Sequence, residues 1–250
     1  RISCRVASGK PAGPEAEAWV APRHGIEFLS EAFLPVTRFC DFIPAFPQGK
    51  RRERELGTGR SRVSAPDAST LHTCDRISLQ FVSGPFFSTS LVGPDIPDFN
   101  YWHTGLRLGW MLTSPSGDGR GLDGNFEGVL ELANAFVFNG FGDYVGGLSG
   151  LIRYNFTGAG NRFVPYVQAG LGIVYADAYQ DETQKAIGQA INFCRQAGAR
   201  VRYLLDSNGS LDAELAFQHL SNAGMDDRND GVNALGVFVG VTYFWDDLWR

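Results

Sequence analysis

No run of about 18 apolar residues occurs in this 250-residue chain, which excludes an ordinary transmembrane helix. A basic excess is missing as well. The formal net charge is −5, whereas a nucleic-acid partner demands a basic surface, so none is expected. Cysteine is scarce and scattered: Cys4, Cys40, Cys74 and Cys194 form no CxxC pair and no Cys/His cluster at ligand spacing. That excludes a zinc site of the usual kind and leaves the four thiols reading as mostly free. The most apolar early segment, 28–47, is interrupted by Glu31, Arg38 and Asp41 and makes a poor signal peptide.

Glycine and aromatic residues are abundant instead. The chain has 31 glycines and 13% aromatics, a mixture that favours β-structure with tight packing and many turns. Residues 1–75 carry Pro- and Gly-rich pieces and the charge run "KRRERE" at 50–55, without a sustained period of 2 or 3.6. They read as an irregular or disordered extension. From residue 76 strand-like segments follow one another at 77–88, 99–112, 124–138, 143–156, 163–177, 193–205, 210–222 and 233–245. Turn signals such as "SPSGDGRG", "NGFGD" and "DSNGS" separate them. Residues 179–192 read as a short helix or a long loop between the fifth and sixth strands.

Period two is clearest near the end. Within 233–245 the odd positions run Asn233, Leu235, Val237, Val239, Val241, Tyr243 and Trp245, while small residues dominate the even ones. Successive strand side chains point to opposite faces, so each strand has one greasy face and one small or polar face. The polar faces hold His103, Arg107, Glu127, Glu131, Arg153, Arg200, Arg202, Asp212 and Glu214. Four arginines balanced by four carboxylates and interleaved with glycines suit the filled lumen of a small barrel, where each buried charge requires a partner. The segments are long enough to span a bilayer at a tilt. Tyr101, Trp102, Trp110, Phe136, Phe138, Tyr243 and Trp245 near strand ends fit interfacial girdles. The expected fold class is all-β: an eight-stranded antiparallel transmembrane β-barrel over 76–250, preceded by the extension 1–75. A soluble lipocalin-like barrel, with its greasy face inward, is the competing architecture.

The stretch "FQHLSNAG" at 217–224 is the anomaly in this pattern. By parity His219 and Ser221 fall on the greasy face with Leu211, Leu215 and Phe217. Polar groups at a lipid boundary are costly unless they satisfy each other or do chemistry. Asn233 opens the eighth strand on the same face, within reach across a hairpin. A serine, a histidine and an orienting polar group on one patch is the geometry of an activated nucleophile. An isolated histidine at a strand end, with a commonplace serine beside it, is the plainer alternative.

"HLSNAGMDDRNDGVN" at 219–233 resembles the signature of the outer-membrane lipid A 3-O-deacylases, the PagL-type and acyloxyacyl-hydrolase-like proteins, where H-x-S-N-A-G is followed by an Asn-x-Gly segment. "FNYWHTGLRLGWML", "GNFEGVLELANAFVF" and "FVPYVQAGLGIVYADAYQD" are similar to that family's earlier strands. The resemblance covers about residues 77–245. It implies an eight-stranded barrel in the bacterial outer membrane whose site lies on the lipid-facing wall and cleaves an ester-linked acyl chain of lipid A, with no metal or cofactor. Ser221 would be the nucleophile and His219 the general base. Asn233 stands where the family has a glutamate. An Asn carbonyl accepts the imidazole N–H but gives no charge stabilisation of the imidazolium; Asp226, Asp227 and Asp230 are the nearby carboxylates that would take that role instead. Backbone N–H groups of Asn222, Ala223 and Gly224 are the candidate oxyanion donors. The expected partners are the lipopolysaccharide substrate and membrane lipids. A non-catalytic outer-membrane barrel that kept the scaffold is the alternative function.

Overall fold

The computed structural model describes residues 68–89, 98–116, 122–158 and 162–245. Residues 1–67 of the expected extension, the charge run at 50–55 and the segment 28–47 lie outside the described residues. Eight antiparallel strands close into a barrel in sequence order: β1 Ile77–Ser88, β2 Asn100–Met111, β3 Gly124–Asn139, β4 Tyr144–Phe156, β5 Phe163–Ala176, β6 Ile191–Leu204, β7 Gly209–Ser221 and β8 Val232–Trp245. β8 pairs back onto β1, with Ile77 opposite Trp245, so the described sheet has no free edge. The segment expected to be a helix or loop opens with a short 3-10 turn, Asp177–Gln180, and continues as loop to β6.

The alternation of the sequence decides the two faces. In β7 the even positions Asp212, Glu214, Gln218 and Leu220 are buried, and Leu211 and Leu215 stand exposed. The same holds around the barrel: Leu106, Leu132, Leu148, Ile152, Leu171, Val237 and Val239 all lie on the outer wall with about half or more of their surface open. A soluble protein cannot leave that much contiguous apolar surface in water, so the lipocalin-like arrangement is overturned and the outer wall is a membrane-facing belt. Trp102, Phe136, Phe138 and Tyr243 join the exposed wall, as expected of girdle residues. Tyr101 does not. It points into the lumen, is fully buried, and donates its hydroxyl to Gln218 Oε1 at 2.7 Å.

The lumen is filled by paired charges. Arg107 lies 3.0 Å from both Glu131 and Glu214, Arg153 is 3.2 Å from Glu127, and Arg202 Nε donates to Asp212 at 3.0 Å. Arg200 pairs with Glu214. His103 Nε2 contacts Glu131 at 3.1 Å, and Gln196, Asn155, Ser78, Tyr166 and Thr242 fill the remaining acceptor positions of the carboxylates. Glycines make the room: a Cβ at Gly105 would sit 2.6 Å from Glu131 Oε1, and one at Gly198 2.7 Å from Glu214 Oε1. The four arginines and four carboxylates singled out from the sequence thus meet one another inside the barrel.

One end of the barrel is closed by residues just ahead of β1. The single-turn helix α1, Ala68–Leu71, buries Ala68 and Leu71 against Met111, Val164, Leu204 and Phe244. His72 donates from Nδ1 to the Ala68 carbonyl at 2.8 Å, which leaves Nε2 to accept from Arg202 at 3.0 Å. This stretch belongs with the barrel and is regular where the extension was expected to be irregular. Cys194 is free and buried, whereas Cys74 is held in a disulfide, so the reading of the thiols as mostly free fails at Cys74.

Candidate active site

The site lies at the end of the barrel opposite α1, where β7 runs out into the 222–231 loop and β8 returns. Register, and not sequence proximity, assembles it. His219 of β7 is opposite Asn233 of β8, and on its other side opposite Arg195 of β6. The three outward positions form one row across three strands. Ser221 lies two residues further along β7, on the same face, opposite Phe193. His219 and Ser221 are both half-buried on the outer wall, as their parity required.

The structure brings His219 and Asn233 into direct contact, Nδ1 to Oδ1 at 2.7 Å. Asn233 Oδ1 can only accept, so His219 Nδ1 carries the hydrogen and Nε2 presents its lone pair. Asn233 is itself buried, and its main-chain carbonyl accepts the Thr89 N–H at 2.8 Å, which ties it to the chain just past β1. The Ser221 hydroxyl is not hydrogen-bonded to His219 here and has no hydrogen-bond partner among the described residues. Asp226, Asp227 and Asp230 make no contact with the imidazole; Asp226 instead accepts the Arg228 N–H at 2.9 Å. Among the described residues, the side chain hydrogen-bonded to the imidazole is therefore Asn233 and not a loop carboxylate.

The three candidate oxyanion donors fare differently. The Asn222 N–H donates to Asn229 Oδ1 at 2.7 Å, and the Gly224 N–H to Asn222 Oδ1 at 2.9 Å. Both are committed to the turn. The Ala223 N–H has no acceptor among the described residues, and Ala223 sits in the left-handed region at φ 57°. The positive φ of Ala223 and Gly224 turns the chain sharply after Ser221 and leaves both residues exposed at the rim.

Two features that sequence reasoning missed hold this corner. Gly231, at φ +75°, packs under the His219 ring; a Cβ there would lie 3.0 Å from Cε1. Arg228 ties the β7–β8 loop to the β5–β6 loop by donating to the carbonyls of Asp181, Tyr179 and Gly188 at 2.9, 3.1 and 3.3 Å. Main-chain bonds from Asp230 to Lys185 and from Gly231 to Ala186 complete the joint. In the β5–β6 loop the Asp181 carboxyl is held below the usual carboxylate range by the Thr183 hydroxyl and N–H. Arg195, the third missed residue, was detectable by parity alone, since it falls on the greasy face of β6. Among the described residues no group of three His, Cys, Asp or Glu side chains could hold a metal ion.

Fold and site together define an integral membrane β-barrel that carries a serine, a histidine and an asparagine on its outer wall. The chain belongs to the lipid A 3-O-deacylase (PagL) family, whose model matches residues 103–242. Among solved structures, the outer membrane enzyme PagL is 22% identical, with 64% of this chain and 97% of that one covered at a TM-score of 0.45. Neisserial surface protein A is 13% identical, covering 67% and 96% at 0.45. The N-terminal β-barrel domain of Pseudomonas aeruginosa OprF is 17% identical, covering 69% and 98% at 0.44. No curated protein matches the chain. Family membership and the apolar belt locate the protein in a bacterial outer membrane.

Proposed function

We propose that the protein is a lipid A deacylase, a carboxylic ester hydrolase working on the lipid-facing wall of its own barrel. The observation that carries this is the 2.7 Å contact between His219 Nδ1 and Asn233 Oδ1 on the same outer patch as Ser221. With Nδ1 donating to Asn233, Nε2 is the free base. Rotation of the Ser221 hydroxyl towards that nitrogen, on one face of one strand, completes the relay once an ester lies across it. Ser221 Oγ then attacks the acyl carbonyl while Nε2 takes its proton. The tetrahedral adduct collapses, the sugar oxygen leaves with the proton from His219, and water releases the acyl group from Ser221 by the same steps in reverse order. The Ala223 N–H is the backbone donor best placed to meet the developing oxyanion, being uncommitted and next but one to the nucleophile. The acyl chain would lie along the belt of Leu215, Val237 and Phe217. No metal or cofactor enters this scheme.

Purified protein folded in detergent, incubated with lipid A and assayed by mass spectrometry, should release one ester-linked chain. Ser221→Ala should reduce release by about 10⁴-fold or more while leaving the heat-modifiable gel shift of the barrel intact. Folded wild-type protein that releases no fatty acid would sink the proposal. It would favour the second reading, a non-catalytic outer-membrane barrel, which has two observations of its own: Asn233 in place of a glutamate, and a Ser221 hydroxyl not bonded to His219.

A further inference from the structure

Arg195 is out of place. Of the outward positions on all eight described strands, it is the one occupied by Asp, Glu, Lys or Arg; the others are apolar, aromatic, small or neutral polar. Every other charged residue of the strands points into the lumen and is buried. The Arg195 side chain is exposed and, among the described residues, has neither a hydrogen bond nor an ion pair. Charged residues on the lipid face of a barrel are destabilising, least so near the interfaces. Arg195 has Leu171 on one flank, two-thirds exposed, and His219 on the other. A guanidinium in that setting is pre-formed to take a bidentate anionic oxygen group arriving from the membrane plane.

We propose that Arg195 is a substrate-positioning residue that binds a phosphate of the lipid whose ester lies at Ser221. The proposal rests on the deacylase reading above and adds a specificity determinant to it. The row Arg195–His219–Asn233 then has a division of labour. One side of the imidazole is held by Asn233, and the other faces the strand that grips the headgroup. Phosphate on one side of His219 and acyl chain on the greasy wall fix which ester reaches the serine. The same guanidinium chemistry would also take the phosphate of a neighbouring bilayer phospholipid, and the two sources are separable by experiment.

The test compares wild type, Arg195→Ala and Arg195→Lys on phosphorylated and on enzymatically dephosphorylated lipid A, in a zwitterion-free, uncharged detergent. In the same detergent, binding of both lipids is measured with Ser221→Ala and with Ser221→Ala/Arg195→Ala. Expected is a roughly tenfold weaker binding and a comparable rise in KM for phosphorylated lipid A in Arg195→Ala, with kcat within about twofold. Arg195→Lys should recover part of the loss, and dephosphorylated lipid A should show none. A loss of equal size on both lipids, a loss confined to kcat, or no loss on either overturns the proposal. If Arg195→Ala loses binding only when anionic phospholipid is added to the micelle, Arg195 serves bulk lipid and the proposal also fails. The binding arms need no turnover, so a protein that binds phosphorylated lipid through Arg195 but never cleaves it would refute the deacylase reading and leave the anchor standing.

Discussion

Asn233 Oδ1 accepts the hydrogen of His219 Nδ1 at 2.7 Å across the last hairpin, in the place where the family resemblance calls for a carboxylate. The contact sets the tautomer as a glutamate would. In the mechanism proposed above, what it lacks is charge beside the imidazolium that would form as Ser221 gives up its proton. In the serine proteases, exchanging the buried triad carboxylate for its amide lowers kcat about 10⁴-fold, largely through the wrong tautomer. Here the tautomer is already right, so the remaining penalty is smaller. Asn233→Glu should raise kcat/KM by about 10- to 100-fold, and Asn233→Leu should lower it by a similar factor, both read from initial rates of fatty-acid release.

Gly231 carries a second consequence. It occupies φ +75°, and a Cβ would press on His219 Cε1. Gly231→Ala should therefore cost about 1–2 kcal/mol of stability from the left-handed backbone and also displace the ring. The expected signature is a fall in rate larger than the shift in thermal unfolding explains. A variant with unchanged rate would show that the ring does not depend on this packing.

Arg228 makes three hydrogen bonds to carbonyls of the β5–β6 loop and is the main side-chain link between the two loops that flank the site. Charge-assisted hydrogen bonds contribute about 1.5–3 kcal/mol each before the entropy of ordering the loop is counted. Arg228→Ala should open the 222–231 loop to proteases while the barrel keeps its gel mobility. Limited proteolysis followed by mass mapping of the cut sites checks this.

In the lumen, Arg153 is bonded to Glu127, Gln168 and Gln80 and stacks over Tyr166 at 4.6 Å. Arg153→Met leaves Glu127 buried without its cation and should destabilise the barrel by about 3–5 kcal/mol in urea titrations. Adding Glu127→Gln should recover a large part of that loss, because the stranded charge is then gone. Neither change should alter the site, which is on the other side of the wall.

The fold was legible because period two runs unbroken through eight segments, and every strand boundary expected from the sequence lies within two residues of the observed one. The lumen pairs were legible for the same reason, since parity assigns Arg107, Glu131 and Asp212 to one face without knowing their neighbours. Tyr101 was misassigned because its aromatic character outweighed its parity, which placed it with His103 and Arg107. Position 219 could be set on the outer wall, but which partners its ring would meet depends on inter-strand register. Register opposes Asn233 to His219 through a hairpin whose loop, 222–231, gives no turn type to count from, whereas the short loop 205–208 that sets Arg195 opposite His219 carries the turn signal "DSNGS". The commitment of the Asn222 N–H to Asn229 depends on where the loop folds back, which no local pattern encodes, whereas the Gly224 N–H is taken by the Asn222 side chain in a local Asx turn.

The packed lumen has a further meaning. Arginine–carboxylate pairs occupy the axis of the barrel, and the cavity beside Tyr101, His103 and Cys194 has room for little more than a single water, about 20 Å³. Among the described residues the barrel is thus a solid post and not a conduit, and in the deacylase reading a substrate of His219 and Ser221 would arrive sideways through the sheet of lipid around it. Encounter is then a two-dimensional search. Turnover would follow the mole fraction of substrate in the leaflet or micelle, and adding inert detergent at constant bulk substrate would slow the enzyme by dilution of its surface alone.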